Sequence, residues 1–350
     1  MGFKRSGAKL FPFKLFPAKP LSAVLVLAVS LSVFGCSKED PEKKTLKSLT
    51  RVTDGIYLLD CYTDYKVDEY LAAGITNVEQ FDIWMTENLT HGVPTGDIPG
   101  IGCSSFAVSD PNGDHLFGRN YDASDGDSLI IRTMPSDGYA SIGIVDLKHV
   151  NLGYGGEYDI NDESSQSLLF AAPWCVCDGI NEKGLGVSLL ELSNRHVVND
   201  TSKDDFLIYS AVRVLLDKCA SAEEALAFLE QYDMYSPRSN SYHIYLTDTT
   251  GRSVIAEWND EGVMVTTEDT AVTNFPFYRD DPYLDYDHRY SKIHANIDVV
   301  SSMSPQEAMG VLEEVSQGTQ WSAVYNLDKF TVDICFDADY STTYSYSGKK

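Results

Sequence analysis

Two strand-like runs with a turn between them constrain the fold of this chain more than any other feature. The runs cover residues 104–109 and 115–120, and Pro111-Asn112-Gly113-Asp114 lies between them. Proline, asparagine, glycine and aspartate favour tight turns, each through its own backbone preference. The pattern therefore predicts an antiparallel hairpin, which brings the residues around 103 close to the residues around 121.

Blocks of predicted strands alternate with blocks of predicted helices along the rest of the chain. Further strands are expected at 128–133, 140–147, 168–172, 186–192, 242–247, 253–258, 263–267, 321–327 and 330–336. Helices are expected at 206–219, at 222–232 after a Ser221/Glu224 capping box, and from Ser304 onwards. This order indicates an α+β fold with two antiparallel sheets covered by helices.

The first 36 residues have the pattern of an export segment. A basic stretch precedes an apolar run of fourteen residues, 21–34, which is short for a stable membrane span. The run ends in Val33-Phe34-Gly35-Cys36, which resembles the lipobox of bacterial lipoproteins, where the cysteine is lipidated. We expect a lipid anchor at Cys36 and a location in the bacterial cell envelope, outside the cytoplasmic membrane. The alternative is an ordinary signal peptide with a chance cysteine.

A second boundary is predicted at residues 92–100, where glycine and proline cluster. The residues before it include apolar stretches at 56–59 and 70–73, which indicate packed structure rather than a loose linker. Net charge is −25, from 27 Lys and Arg against 52 Asp and Glu, and the excess is spread along the chain. A nucleic-acid partner is therefore not expected.

Seven cysteines are present, of which six remain after Cys36 is assigned to a lipid. An exported chain would ordinarily pair such cysteines, and Cys61 is a candidate for a disulfide to the later part of the chain. Cys175 and Cys177 lack companion histidines at zinc-ligand spacing, and two alternating strand positions explain them equally well. Neither a metal nor a cofactor is predicted.

Candidate chemistry concentrates at the two ends of the predicted hairpin. Gly102-Cys103-Ser104-Ser105-Phe106 opens it, and Phe117-Gly118-Arg119-Asn120-Tyr121-Asp122 closes it, with Arg119 sixteen positions after Cys103. These residues resemble the choloylglycine hydrolase group of N-terminal nucleophile hydrolases, also called linear amide C-N hydrolases. That group includes bile salt hydrolases, penicillin V acylases and, more distantly, acid ceramidase and the N-acylethanolamine amidases. The resemblance spans about 102–336 and implies an αββα sandwich, two antiparallel sheets between helical layers.

The resemblance also implies a catalytic role for Cys103 as an N-terminal nucleophile. An N-terminal cysteine carries its own α-amino group, which titrates near neutral pH and can serve as the base. Arg119 is expected to favour the thiolate, and Asp122 to accept a hydrogen bond from the amine. Because 102 residues precede Cys103, we expect the precursor to cut itself between Gly102 and Cys103. The predicted parts are then a signal peptide, 1–36, a pro-segment, 37–102, and a catalytic domain, 103–350.

Three further positions carry implied roles. Thr273-Asn274-Phe275-Pro276 resembles the family segment whose asparagine amide helps form the oxyanion hole, and His288-Arg289-Tyr290 matches the position of a second family arginine. Asn181-Glu182-Lys183-Gly184-Leu185 matches another family stretch. At Glu191 the chain departs from bile salt hydrolases, which have an asparagine there. Since an ionised carboxylate cannot donate a hydrogen bond, Glu191 is expected to contribute to the oxyanion region through its backbone N–H or a protonated side chain.

Each of these residues has an ordinary structural explanation when taken singly. Cys103 fits a buried or disulfide-bonded cysteine, and Arg119 with Asp122 fits a salt bridge. Their order and spacing together favour a self-processing cysteine amidase that hydrolyses an N-acyl amine or N-acyl amino acid through a thioester. Alternatives within this class are a penicillin V acylase, a bile salt hydrolase or an acyltransferase. The alternative from another class is a non-catalytic, ligand-binding surface lipoprotein.

Overall fold

More of the described residues lie in strands than in helices. The computed structural model describes residues 39–96, 102–123, 126–192, 202–236, 241–279 and 287–350, so Cys36 and the predicted signal peptide lie outside it. The strands are β1 (Thr50–Thr53), β2 (Ile56–Cys61), β3 (Gly102–Ser109), β4 (His115–Asp122), β5 (Ser128–Thr133), β6 (Ser141–Asp146), β7 (Val176–Asn181), β8 (Gly186–Leu192), β9 (Asp204–Leu207), β10 (Tyr232–Tyr235), β11 (Ser241–Thr247), β12 (Ser253–Trp258), β13 (Met264–Glu268), β14 (Ala271–Thr273), β15 (Trp321–Asn326), β16 (Thr331–Phe336) and β17 (Tyr344–Ser347).

Seven α-helices lie among the described residues. They are α1 (Pro41–Ser48), α2 (Val67–Ala73), α3 (Val78–Asn88), α4 (Ile208–Lys218), α5 (Ala222–Leu229), α6 (His288–Ile297) and α7 (Pro305–Glu314). The N-terminus of α7 has the full capping box of Ser304 and Glu307, as its sequence indicates. In the described part of the chain, no helix combines the length and apolar character that a membrane crossing requires.

Two large sheets pack face to face between helices. The larger has the order β1-β2-β5-β6-β7-β8-β11-β12-β13, and the smaller has β14-β3-β4-β15-β16-β17. One apolar cluster fills the space between the sheets, including Ile144 and Leu190 from the larger and Ala323 and Ile334 from the smaller. A second cluster lies between the larger sheet and its helices, and a third lies between the smaller sheet and α6 and α7. The predicted α+β class and layered sandwich are confirmed.

Several local predictions are wrong. Residues 168–172 do not form a strand, because Leu168 and Ala171 donate backbone hydrogen bonds three residues back and wind the chain into the 3₁₀ turn Gln166–Phe170. Helix α5 ends at Leu229, and Tyr232–Tyr235 forms a strand that pairs with β9. The six cysteines of the described residues are buried, unpaired thiols, and Cys61 forms no disulfide. Of Cys175 and Cys177, only Cys177 lies in a strand.

The predicted pro-segment is built into the larger sheet. Strand β2 pairs with β5 from Ile56↔Ser128 to Cys61↔Thr133, and this pairing is parallel, whereas antiparallel sheets were predicted. Helices α2 and α3 contribute Tyr70, Phe81 and Trp84, whose rings surround Trp174 at centroid distances of 4.4, 6.0 and 5.5 Å. Residues 39–96 therefore share one core with the described residues after 101.

Polar contacts join the same surfaces. Arg132 Nε donates to Asp60 Oδ1 at 2.6 Å, and Lys350 Nζ donates to Asp60 Oδ2 at 2.6 Å. The hydroxyl of Tyr65 lies 3.0 Å from both carboxylate oxygens of Asp217, a buried residue of α4. Residues 39–96 are thus bound by paired charges and buried hydrogen bonds as well as by apolar packing.

Candidate active site

Cys103 is the second residue of β3, and its thiol is buried between the two sheets. The side chain has no solvent exposure and belongs to the apolar cluster that the sheets share. Its Sγ atom is 3.9 Å from the carbonyl oxygen of Leu189 in β8. Its backbone N–H donates to Asn274 Oδ1 at 2.6 Å. Contacts from the opposite sheet and from the segment after β14 therefore meet at this residue.

The hairpin turn determines which side chains lie near Cys103. Asp110 accepts hydrogen bonds from the backbone N–H groups of Asn112 and Asp114 at 2.7 and 2.9 Å, and Gly113 has φ +89°. That dihedral lies in the region that glycine occupies without strain. The resulting register places Gly102 opposite Asp122 and Ser105 opposite Arg119. Local turn chemistry thus brings the two ends of the hairpin together.

Arg119 is fully buried and reaches the same carbonyl group as the thiol. Its Nη2 donates to Leu189 O at 2.9 Å, and its Nε lies 3.4 Å from Asp178 Oδ2. Its Nη1 has no hydrogen-bond partner among the described residues. A fixed cation with an available N–H next to a thiol stabilises the thiolate.

Burial changes the pKa of the Cys103 thiol more than Arg119 does. Removal from water raises the pKa of Cys103 to about 12, while Arg119 acts in the opposite direction. As expected, Arg119 lowers the pKa of Cys103 and so favours the thiolate. The larger effect of burial nevertheless leaves this pKa raised. In the uncut chain the cysteine is consequently a protonated thiol at neutral pH.

Asp122, the last residue of β4, and Arg289, on α6, lie close to the backbone of Cys103. Arg289 Nη1 donates to Cys103 O at 3.1 Å and to Asp122 Oδ2 at 3.2 Å. Asp122 Oδ1 accepts from Thr319 Oγ1 at 2.5 Å, and burial raises the pKa of this Asp122 carboxyl. In this uncut chain the backbone N–H of Cys103 donates to Asn274 Oδ1; the predicted bond to Asp122 concerns the free α-amino group of a cut chain and stays a prediction.

Asn274 connects three of the predicted residues. Its Oδ1 accepts from Cys103 N and from Arg289 Nη2, the latter at 3.0 Å, and its Nδ2 donates to Glu191 O at 2.7 Å. Glu191 is a buried residue of β8, and its backbone carbonyl is the group that contacts Asn274. The structure therefore brings Cys103, Arg119, Asp122, Asn274 and Arg289 together, with Glu191 at their margin.

Comparison with known proteins identifies the family of this chain. The model of the family described as linear amide C-N hydrolases, choloylglycine hydrolase family, matches residues 103–319. The chain belongs to the choloylglycine hydrolase family. The match begins at Cys103, and no curated protein sequence matches the chain.

Solved structures resemble this family member at low sequence identity. Two mutant forms of the conjugated bile acid hydrolase from Clostridium perfringens each have a TM-score of 0.52 and 16% identity, covering 70% of this chain and 92% of that enzyme. Penicillin V acylase from Agrobacterium tumefaciens has a TM-score of 0.48 and 18% identity, covering 67% of this chain and 83% of that chain. The likeness to the bile acid hydrolase shows a shared fold.

One buried residue beside Arg119, Asp178, was not among the site residues predicted from the sequence. Asp178 is fully buried and accepts hydrogen bonds from Trp321 Nε1 at 3.1 Å and Tyr325 Oη at 2.5 Å, beside Arg119 Nε. Burial raises the pKa of Asp178, and Arg119 opposes that change. An acidic residue in an apolar strand was the available signal, because buried carboxylates require partners.

The stretch 181–185 has a structural explanation. Asn181 Oδ1 accepts from the N–H groups of Lys183 and Leu185, and Gly184 has φ +84°, so these residues form the turn between β7 and β8. In the part of the chain that the structure describes, no group of three or more His, Cys, Asp or Glu side chains is arranged to hold a metal ion.

Proposed function

We propose that this chain is the precursor of a cysteine amidase that frees its own nucleophile and then hydrolyses a linear N-acyl amide through a thioester. The observation that carries the proposal is the convergence on Cys103 of Arg119, Asn274 and Arg289, together with a family match that begins at Cys103. A buried thiol, a cation near it and fixed polar groups around its backbone are the parts that acyl transfer requires.

Self-cleavage begins with attack of the Cys103 sulfur on the Gly102 carbonyl carbon. The C–S bond forms, the peptide C–N bond breaks, and the departing nitrogen takes a proton to become the α-amino group of Cys103. Water then hydrolyses the thioester, giving a carboxylate at Gly102 and regenerating the thiol. A Cβ atom on residue 102 would lie 3.2 Å from Asp122 Cβ, so glycine suits this crowded position.

Hydrolysis of substrate repeats the same chemistry with an external amide. The new α-amino group takes the thiol proton and returns it to the leaving amine, while Arg119 stabilises the thiolate. The Asn274 side-chain amide supplies a neutral donor in the oxyanion region, and its link to Glu191 O orients it. Arg289 holds Cys103 O and Asp122 in place.

We propose an N-acyl amine or N-acyl amino acid as the substrate class and the bacterial cell envelope as the site of action, with lipid attached at Cys36. Bile acid hydrolysis is the activity named for the solved structures that share this fold. The difference at Glu191 leads us to place bile acid conjugates, penicillin V and acyl transfer to an amine behind simple N-acyl amide hydrolysis.

Mass spectrometry of the protein made without residues 1–36 tests the proposal. The wild type is expected to begin at Cys103 by N-terminal sequencing, whereas Cys103→Ala remains whole. Cys335→Ala removes a buried thiol next to Thr343, far along the chain, and serves as the matched control that is expected to cut normally. A panel of N-acyl ethanolamines, N-acyl amino acids, taurine conjugates and a phenoxyacetyl penicillin then defines the substrate.

Two results distinguish the alternatives. An acyl mass added to Cys103 during turnover identifies the thioester intermediate and supports the proposal. A wild-type chain that stays whole and hydrolyses no member of the panel contradicts it, and retained binding of a panel compound would then favour a ligand-binding lipoprotein.

A further inference from the structure

A buried acidic residue holds the backbone that follows Asn274. Glu257 in β12 has no solvent exposure, and its carboxylate accepts from Phe277 N at 3.1 and 2.9 Å and from Tyr278 N at 2.9 Å. We infer that Glu257, oriented by His243, is a positioning residue that keeps Asn274 against Cys103 during catalysis. The inference rests on the proposed function and concerns residues that the sequence motifs did not include.

His243 fixes the direction of the carboxylate. The two residues lie on the neighbouring strands β11 and β12, and His243 Nδ1 lies 2.8 Å from Glu257 Oε1. Both side chains are almost completely buried. A buried carboxylate is costly unless donors surround it, and here His243 and two backbone N–H groups provide them. Such a group tolerates little displacement of the chain segment that it binds.

The bound segment is short and stiff between Glu257 and the site. Phe277 comes three positions after Asn274, and Pro276 lies between them. The rings of Phe275 and Phe277 stack at 4.5 Å, and Tyr290 packs edge-on against Phe275 at 5.1 Å. Tyr290 directly follows Arg289, which itself donates to Asn274 Oδ1. A shift at Phe277 therefore moves both the Asn274 amide and its arginine partner.

A structural role alone would stabilise the fold without affecting turnover, and kinetics separates the two roles. An oxyanion donor out of place weakens transition-state binding, so kcat falls while KM changes little. Loss of the donor itself costs roughly 100-fold or more. We expect Glu257→Ala to lower kcat and the rate of self-cleavage by about 10-fold, since misplacement of the donor costs less than its removal.

Glu257→Gln is the conservative variant. Its amide oxygen still accepts one backbone N–H, so we expect an intermediate loss and partial rescue relative to alanine. It also carries the test if Glu257→Ala does not fold. Asp217→Asn is the matched control, because Asp217 is likewise a buried acid that accepts hydrogen bonds and pairs with a cation, Arg213, but lies away from Cys103. We expect it to lower the melting temperature and leave kcat unchanged.

Hydrogen exchange tests, independently of activity, whether residues 274–279 are still held in place. In the Glu257 variants, peptides covering 274–279 are expected to exchange faster, whereas Asp217→Asn leaves them protected. A double-mutant cycle then tests the route: in an Asn274→Ala background, Glu257→Ala is expected to change the rate by less than about twofold, because residues acting through one another are not additive.

Three outcomes would overturn the inference. One is a Glu257 variant with a lower melting temperature and unchanged kcat, which indicates a structural role only. The second is a rise in KM with unchanged kcat, which indicates a direct effect on substrate binding. The third is a wild type that neither cuts itself nor hydrolyses the panel, which overturns the proposed function and this inference with it; the first two leave the proposed function intact.

Discussion

The thiol of Cys103 is surrounded by apolar side chains from the inner faces of both sheets. The polar groups proposed to activate it contact its backbone and a neighbouring carbonyl group. Arg119 shares the carbonyl of Leu189 with it, and Asn274 holds its backbone nitrogen. Before any cut, the Cys103 thiol is therefore mostly protonated at neutral pH, with Arg119 and Asn274 already in place around it. In the proposed mechanism, the cut releases an α-amino group that serves as the base for this thiol.

Removal of Arg119 is expected to slow self-cleavage. Burial raises the pKa of Cys103 to about 12, so below that pH the thiolate fraction, and with it the wild-type rate, increases about tenfold per pH unit. Arg119→Gln raises the pKa of Cys103 further, which lowers the rate at every pH below about 12 and moves the profile to higher pH. Intact mass against time, at several pH values, measures this.

Arg132→Gln provides the comparison, because Arg132 also pairs with a buried carboxylate but lies at the pro-segment interface. Equal cleavage profiles for the Arg119 variant and the wild type would rule out an electrostatic role for Arg119.

Replacement of Gly102 is expected to slow cleavage through crowding. In Gly102→Val, the new Cβ atom would lie 3.2 Å from Asp122 Cβ and 3.4 Å from the carbonyl oxygen of Asp122. This crowding is expected to displace the scissile bond from the thiol. Cleavage time courses for Gly102→Ala and Gly102→Val measure the effect, and the larger side chain is expected to be slower. Identical rates for both variants and the wild type would mean that the bond is not held at Asp122.

At the scale of elements, the hairpin turn sets the register on which the site depends. Gly113 has φ +89°, and no atom lies within 4 Å of a Cβ placed there, so an alanine would meet only backbone strain. Gly113→Ala is therefore expected to lower the free energy of unfolding by about 1 kcal/mol. Urea unfolding in the Cys103→Ala background measures it.

Gly310→Ala is the opposite control. Gly310 lies within α7 with open space around its Cβ position, so alanine there is expected to raise the free energy of unfolding by about 0.5–1 kcal/mol. If the free energy of unfolding fell in both variants, the loss in Gly113→Ala could not be assigned to the positive φ of residue 113.

Strands were predictable where local pattern and turn chemistry agree. The bounds of β5, β8 and β12 match their predicted ranges, because short apolar runs in each are bounded by turn-forming residues. The parallel pairing of β2 with β5 was not predictable, since the partner of a strand depends on distant residues. Asp178 and Glu257 were missed for the same reason: their partners come from other strands and loops, and no spacing within one motif reveals them.

At the scale of the molecule, residues 39–96 of the predicted pro-segment contribute strands and an aromatic cluster to a core that they share with described residues of the predicted catalytic domain. We therefore expect the fragment that ends at Gly102 to remain bound after cleavage. Native size-exclusion chromatography is expected to give one peak that contains both chains by denaturing mass spectrometry. A catalytic fragment that elutes alone would contradict this.

Leu59→Glu places a charge at a fully buried position of β2 and is expected to release the fragment or prevent folding. Arg51→Ala removes an exposed ion pair with Asp54 in the turn that follows β1, and exposed pairs contribute little, so co-elution is expected to persist.

A cut at Gly102 would also change the kinetic order of folding, because β2 and β5 would then belong to separate chains. In the precursor, the two strands belong to one molecule and meet at the high effective concentration that a linker provides. After a cut at Gly102, the same pairing needs an encounter between two molecules, so refolding of denatured mature protein becomes slower as the solution is diluted. If the chain is cut as proposed, the precursor is expected to fold by a first-order process and the mature enzyme to refold by a second-order one, so assembly is efficient only before the cut.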